Sequence, residues 1–448
     1  MGSEQKRVPT TPVVRRSSVR AFAASASTLL TSQVAIMVIS FVQGVLVVRA
    51  LGPADFGVWG TCVSLYSLLG AFLGFRTAEA VTRQLVRIDA PDTFNLVRLL
   101  VASSLLVDGL AAFAVWLLGV ATMPTVGSHF LENSELAGVI VVYGVSIAFG
   151  QASNTWFALT RSDRNFRLLA AVPAAVAIAK CVIVAILWAT EQLSIWTLTY
   201  ATAGVAFIQW TTQVGYIHRW LRQRRASLTR LPWAQCWHRR RELDGFWRYM
   251  FAGFATLCLT GLAKYADVLV LSYFRTDQET GVFRLAKSLI SMISTAVTAF
   301  GNVIFQEFSE LVQGKRYTEV REFLSKLSRF WIPIVVLVLV LAALLARPAI
   351  IFAYGESFQA SATIFNILLL GAGFAALIFW APLLLLAMEE FRLYFLLVGG
   401  TSLATFGLFM VGANLLGGSG VAFASTIGTV CTYTCILVAI WRRAGAHM

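Results

Sequence analysis

Stretches of about twenty almost uninterrupted apolar residues recur from one end of this chain to the other, and no other feature constrains its fold as strongly. An α-helix needs about 20 such residues to cross a hydrocarbon core roughly 30 Å thick. The runs are continuous rather than alternating, which excludes a β-barrel, and only a helix satisfies its own backbone hydrogen bonds inside lipid. Composition agrees: of 448 residues 58% are hydrophobic and 13% charged, with a mean hydropathy of +0.74, so little chain is left for a soluble domain. The pattern predicts an all-α polytopic membrane protein with twelve spans, at approximately 23-48, 57-75, 99-120, 136-160, 168-188, 195-217, 248-272, 281-305, 329-346, 361-387, 393-414 and 419-440.

The formal net charge of +14 raises the question of nucleic acid, and the position of the charges answers it. With the N-terminus inside, 29 of the 36 Lys and Arg fall in cytoplasmic tails and loops or, as Arg248 and Arg329 do, at the cytoplasmic edge of a span, and only Arg49, Arg275 and Arg347 outside. That asymmetry is the positive-inside bias, so both termini are expected in the cytoplasm and no nucleic-acid partner is needed. The basic front of the chain is read as a retained tail, because the apolar run behind it is too long for a signal peptide. Six cysteines with no CxxC pair read as free thiols rather than metal ligands.

The chain repeats itself. Setting Val45-Leu46-Val47-Val48 against Val268-Leu269-Val270-Leu271 brings Gly57-Val58-Trp59 opposite Gly281-Val282-Phe283 with one inserted residue, and Ser64-Leu65 then meets Ser288-Leu289. Six spans per copy is an even number, so the copies enter the membrane from the same side and form two six-helix bundles about a pseudo-twofold axis along the membrane normal. The expected organisation is a basic tail over 1-22, a first bundle over 23-217, a basic linker over 218-247, a second bundle over 248-441 and a short tail over 442-448. The linker, with its arginines and tryptophans interleaved, reads as a strap lying in anionic headgroups. Residues 315-328 place Tyr317, Val320, Phe323, Leu324 and Leu327 on one face and read as a second interfacial helix. Gly52 and Pro53 are expected to end the first span, Gly57 to permit a tight re-entry, and Gly70-x-x-x-Gly74 to offer a close-packing seam.

Arg49, Leu51-Gly52-Pro53, Phe56-Gly57 and Trp59, with Thr82-Arg83 after the second span, resemble the polysaccharide-transporter branch of the MOP superfamily, the Wzx-type lipid-linked oligosaccharide flippases. The resemblance covers nearly the whole chain in span pattern, with its motif concentrated in the first 90 residues. Gln306 stands where that family often has a proline after the eighth span. The likeness implies an undecaprenyl-pyrophosphate-linked sugar chain as substrate, a bacterial inner-membrane location, and neighbours such as a polysaccharide polymerase, with the chain working as a monomer.

Ionisable side chains within a bilayer cost at least about 2.5 kcal/mol each on insertion scales and therefore mark partners or function. Asp108 in span three and Lys180 in span five sit at comparable depths and suit a structural bridge, with ion coupling as the alternative role of Asp108. Lys264 and Asp267 share a face of span seven, and Arg284 and Lys287 share a face of span eight. These four sum to +2, an excess that needs an anion, and a diphosphate fits lysine and arginine chemistry. Asp267 is the other candidate ion carrier. Arg76, Glu79 and Arg83 form a ladder at the inner end of span two and, with Arg49 at the outer side, complete the expected substrate contacts. No cofactor is expected beyond coupling to a proton or sodium gradient or to the membrane potential. A MATE-type drug exporter would want an acidic cavity for cationic cargo, and a membrane glycosyltransferase or polymerase would want a sizeable outer loop carrying acids, bases or metal ligands. Neither feature is present in the sequence.

Overall fold

A computed structural model of the chain describes residues 16–75, 77–87, 94–151, 153–163, 165–223, 244–314 and 316–444. The expected tail over the first fifteen residues, Arg76, most of the 218-247 linker and the last four residues lie outside the described residues. Among the described residues the regular structure is helical. In chain order the α-helices are α1 (Arg16–Leu73), α2 (Thr77–Arg87), α3 (Phe94–His129), α4 (Gly138–Gln151), α5 (Ser153–Ser162), α6 (Phe166–Ala189) and α7 (Ile195–Gln223). They continue with α8 (Asp244–Phe274), α9 (Asp277–Gln313), α10 (Tyr317–Tyr354), α11 (Ser361–Leu377), α12 (Trp380–Ala387) and α13 (Phe391–Ala444).

Five stretches are long and apolar enough to cross a membrane, Thr31–Leu73, Leu96–His129, Phe166–Ala189, Thr318–Tyr354 and Phe391–Arg443. The pair α11 and α12, bent by 42°, makes a sixth if it is one span. Two of these are too long for one crossing: 43 residues at about 1.5 Å each would extend about 65 Å, twice the hydrocarbon thickness. Each is broken by a glycine in a conformation other residues adopt poorly, Gly52 (φ 69°) in α1 and Gly417 (φ 59°) in α13. Beyond Gly417 the chain folds back, because Gly412 and Gly420 lie backbone against backbone. Pro53 follows Gly52 at once, where its missing N–H and fixed φ suit a first helical turn.

The second half uses local capping in the same places. Thr276 Oγ1 accepts the Glu279 amide at 3.2 Å to start α9, and Glu279 Oε1 accepts the Gly418 amide at 2.7 Å, holding the turn of α13 against α9. Arg275 donates to the Ala413 and Asn414 carbonyls at 3.0 and 2.9 Å, closing the helix segment that ends before Gly417.

The largest apolar cluster draws on both copies of the repeat, with Val47, Val48 and Phe56 from α1 packed with Val282 and Phe283 from α9 and Phe358 after α10. Beside it the two helices touch through their main chains. A Cβ on Gly57 would stand 1.9 Å from the Asp277 carbonyl oxygen, and one on Gly281 would stand 1.9 Å from the Pro53 carbonyl oxygen. Gly57 therefore serves this crossing rather than a re-entry, since the helix has already restarted at Pro53.

At the end of α1 the Gly74 amide closes on the Gly70 carbonyl at 2.7 Å, and between them Ala71 packs on Gly261 of α8. One other expectation is corrected. The 315-328 segment is the start of the continuous helix α10, and Val320, Phe323, Leu324 and Leu327 pack on Ile304, Phe308 and Leu384 rather than forming a separate surface helix. Pro333 and Pro348 lie within that same helix.

Replacing Gly281 with alanine should cost at least about 1–3 kcal/mol of overpacking, because backbone on both sides must move. Size-exclusion profiles and thermal unfolding of the detergent-purified protein would show it. Gly109→Ala, at a glycine with open space around its Cβ position, serves as the unaffected comparison.

Candidate functional site

A cavity of about 370 Å³ lies between α1 and α9. Its walls come from both segments of α1, Gln33 to Val48 and then Phe56 and Trp59, and from Arg284 to Thr295 on α9, with Tyr354 at the end of α10. Ser40, Ser288, Ser291, Thr295 and Gln33 supply neutral hydrogen-bonding groups. Among the described lining residues Arg284 carries the charge, and no carboxylate accompanies it.

Arg284 is held in an unusual way. Its side chain starts on α9 in the second copy and crosses to the second segment of α1 in the first, where Nη1 approaches Ser64 Oγ at 3.5 Å. The stem passes over Gly60, at which a Cβ would come within 2.9 Å of Arg284 Cγ. Trp59 packs edge-on against Tyr143 with ring centroids 4.8 Å apart, and Tyr143 in turn against Tyr66 at 5.8 Å. Tyr66 is fixed by donating to the Ile140 carbonyl at 2.8 Å. No ion pair to Arg284 forms among the described residues, so a guanidinium is left in a poorly hydrated place with one long neutral hydrogen bond.

The other expected cations behave differently. Lys287 Nζ forms a short ion pair with Asp267 and also donates to the Lys264 carbonyl at 2.6 Å. Asp267 is 4% exposed in its side chain, and its Oδ1 also accepts the Val268 amide at 2.7 Å. Lys264 is exposed, with its ammonium 5.3 Å from the Tyr265 ring centroid. The four-charge cluster thus resolves into one internal pair, one exposed lysine and one unpaired arginine at the cavity.

Asp108 and Lys180 are not brought together, and the expected bridge is corrected. Asp108 accepts Thr77 Oγ1 at 2.6 Å and Thr155 Oγ1 at 2.8 Å, and Ser104 reaches the Thr155 hydroxyl at 2.7 Å. The physical reason is that neutral hydroxyl donors from two other helices, Thr77 at the start of α2 and Thr155 on α5, reach this carboxylate instead. Lys180 is half-buried on the side of α6 that carries Ala177 and Val184, and no ion pair includes it among the described residues.

Arg49 does not reach the cavity. It donates Nε to the Ala353 carbonyl at 2.6 Å and Nη2 to that of Phe352, the last turn of α10, and so ties the first copy to the second beside Gly52. Arg83 and Glu79 lie on the exposed side of α2, away from the cavity lining, and Arg76 lies outside the described residues. Tyr143, Tyr354 and Gly60 had given no sign of their roles in the sequence: an aromatic or glycine within a membrane helix is ordinary, and only the fold shows what it faces. Among the described residues no group of three or more His, Cys, Asp or Glu is placed to hold a metal ion.

The fold is that of the MOP-superfamily transporters. It matches the lipid II flippase MurJ in an inward closed conformation with a TM-score of 0.72 at 13% identity, covering 92% of this chain and 87% of that one. It matches a multidrug resistance MATE family transporter of the MOP superfamily, inward-facing, at 0.70 and 15% identity, covering 92% and 95%. A MOP superfamily transporter from Pyrococcus furiosus, described as having a binding pocket of reverse polarity that suggests a different function, matches at 0.60 and 14% identity over 94% and 96%. No curated protein matches the sequence. The chain belongs to the polysaccharide biosynthesis protein family, whose model matches residues 46–363. The solved structures that share this fold are described as transporters and a flippase.

Removing Lys287 alone should destabilise the protein by about 3–5 kcal/mol, because Asp267 is then left charged and unpaired in the interior. Lys287→Met combined with Asp267→Asn should recover most of that loss in thermal unfolding of the purified protein. Equal destabilisation by the single and double variants would show that the pair is not what the lysine satisfies.

Proposed function

We propose that the protein flips an undecaprenyl-pyrophosphate-linked oligosaccharide from the inner to the outer leaflet of the bacterial inner membrane, for surface polysaccharide synthesis. The observation that carries this reading is the cavity's charge: one arginine without a carboxylate partner, surrounded by hydroxyl, amide and aromatic groups. A cationic drug would meet an unfavourable field there, whereas a diphosphate headgroup supplies the missing anion. Trp59, Tyr354 and the serine hydroxyls suit the faces and edges of sugars, and the prenyl tail remains in lipid.

In this reading the chain crosses the membrane twelve times, with α1 and α13 each crossing twice about Gly52 and Gly417. The halves over 23-217 and 248-441 rock against each other to expose the cavity alternately to the two sides. The reciprocal Gly57 and Gly281 contact supports the duplicated arrangement. Both termini and the basic linker are cytoplasmic, which puts the Gly52 turn, Arg49 and Arg275 on the outer side.

An anion leaving a negative-inside cell gains about 2.3 kcal/mol per elementary charge per 100 mV, so the potential favours export. Of the two carboxylates expected to carry a coupling ion, Asp108 is held by neutral hydroxyls and Asp267 by a lysine. Protonation of Asp108 separates no ion pair, and we assign any proton or sodium coupling to it first.

Deleting the gene should cause sugar-loaded carrier lipid to accumulate on the inner leaflet, detected by lipid extraction and mass analysis together with leaflet-selective labelling. Arg284→Ala, inserted and folded, should reproduce that accumulation. Normal surface polysaccharide in cells carrying only Arg284→Ala would refute the site, and unchanged carrier lipid in the deletion would refute the cargo.

A further inference from the structure

The reciprocal glycine contact fixes how the two copies of the repeat face each other. Gly57 stands 3.0 Å, measured from its Cβ position, from the Gly281 amide nitrogen, and Gly281 the same distance from the Gly57 nitrogen. Each also meets the carbonyl four residues before the other. Such a pattern arises where a residue and its repeat equivalent lie on opposite sides of a local twofold axis. Counting on from this pair, Gly60 in the first copy is equivalent to Arg284 in the second, and Ser64 to Ser288. These equivalent residues also meet: Arg284 Cγ lies 2.9 Å from the Gly60 Cβ position, and its Nη1 3.5 Å from Ser64 Oγ, while Ser288 faces the cavity.

We propose that Gly60 is the positioning residue for Arg284, and that together they place a single guanidinium on the local twofold axis between the halves. A long side chain can cross such an axis only where its equivalent on the other side leaves room. Here one copy carries the arginine and the other carries no side chain at all. The charge thereby belongs to the second half by its main chain and to the first half by its surroundings, and remains between the halves as they move. This inference rests on the proposed docking of a diphosphate at Arg284 and adds what holds the arginine there.

The test uses the full-length protein in detergent, with a short prenyl diphosphate as the titrated probe and thermal unfolding as a second readout. Gly60→Ala should weaken probe binding at least about tenfold and lower the unfolding midpoint, because the added methyl displaces the arginine stem. In an Arg284→Ala background the same Gly60→Ala change should have little further effect on either reading. The exchanged variant, Gly60→Arg with Arg284→Gly, should regain binding that Arg284→Gly alone loses, with Ser288 taking the part of Ser64. Equal Gly60→Ala losses in both backgrounds would reduce Gly60 to a packing residue and overturn the proposal. Binding by the exchanged variant no better than by Arg284→Gly would overturn the axial placement. If the unaltered protein does not bind the probe, the proposed cargo falls, and the unfolding cycle alone still decides whether Gly60 and Arg284 act together.

Discussion

Two main chains can touch only where no Cβ stands between them, and the contact of Gly57 with Gly281 is the constraint around which the rest of this molecule is arranged. Within lipid there is no hydrophobic drive to press helices together, so close approach of small residues and the dispersion contacts it permits must do that work. Val47, Val48, Phe56, Val282 and Phe283 gather around the crossing from both copies. Arg49 reinforces the same end by capping α10 across the boundary. The cavity lies beyond this crossing along the same two helices, so their separation there is set by how closely they meet at the glycines.

The cavity's electrostatics follow from pairing rather than from the number of charges. Lys287 and Arg284 stand three residues apart on one helix, yet the first pairs with Asp267 while the second, near enough to feel that carboxylate's charge, hydrogen-bonds only to the neutral Ser64. A buried lysine with its carboxylate contributes little net field, whereas an arginine without one keeps its full charge in a medium that screens poorly. Arginine also suits that position: its charge is retained when desolvated, and its planar fork lies along aromatic rings more readily than an ammonium does.

Much of the fold was legible in the sequence because it follows from local rules. Apolar length marks the helices, Leu51-Gly52-Pro53 marks a break, and the repeated Gly-Val-aromatic motif marks equivalent positions, all without knowledge of what packs where. The charged residues were legible only as candidates. Spacing places Arg284 and Lys287 on one face, but which of them meets Asp267 depends on the relative height of two helices, which no single sequence window records. Asp108 shows the same limit. Opposite charge suggested Lys180, whereas the fold brings hydroxyl donors from Thr77 and Thr155 on other helices.

A carrier must hold its cargo firmly enough to select it and loosely enough to release it on the far side, and this bears on why the cavity presents one free cation. Two unpaired cations facing a diphosphate would deepen binding in both orientations of the carrier and slow release, and equal binding would shift no equilibrium between the orientations. With Lys287 neutralised by Asp267, a diphosphate headgroup in the proposed role would meet a single guanidinium whose hydrogen bond comes from the opposite half. Any rocking of one half against the other then changes the surroundings of that one charge. On the proposed reading the affinity for an anion would then differ between the two orientations, while the direction of net movement would come from the membrane potential or the cargo's own gradient.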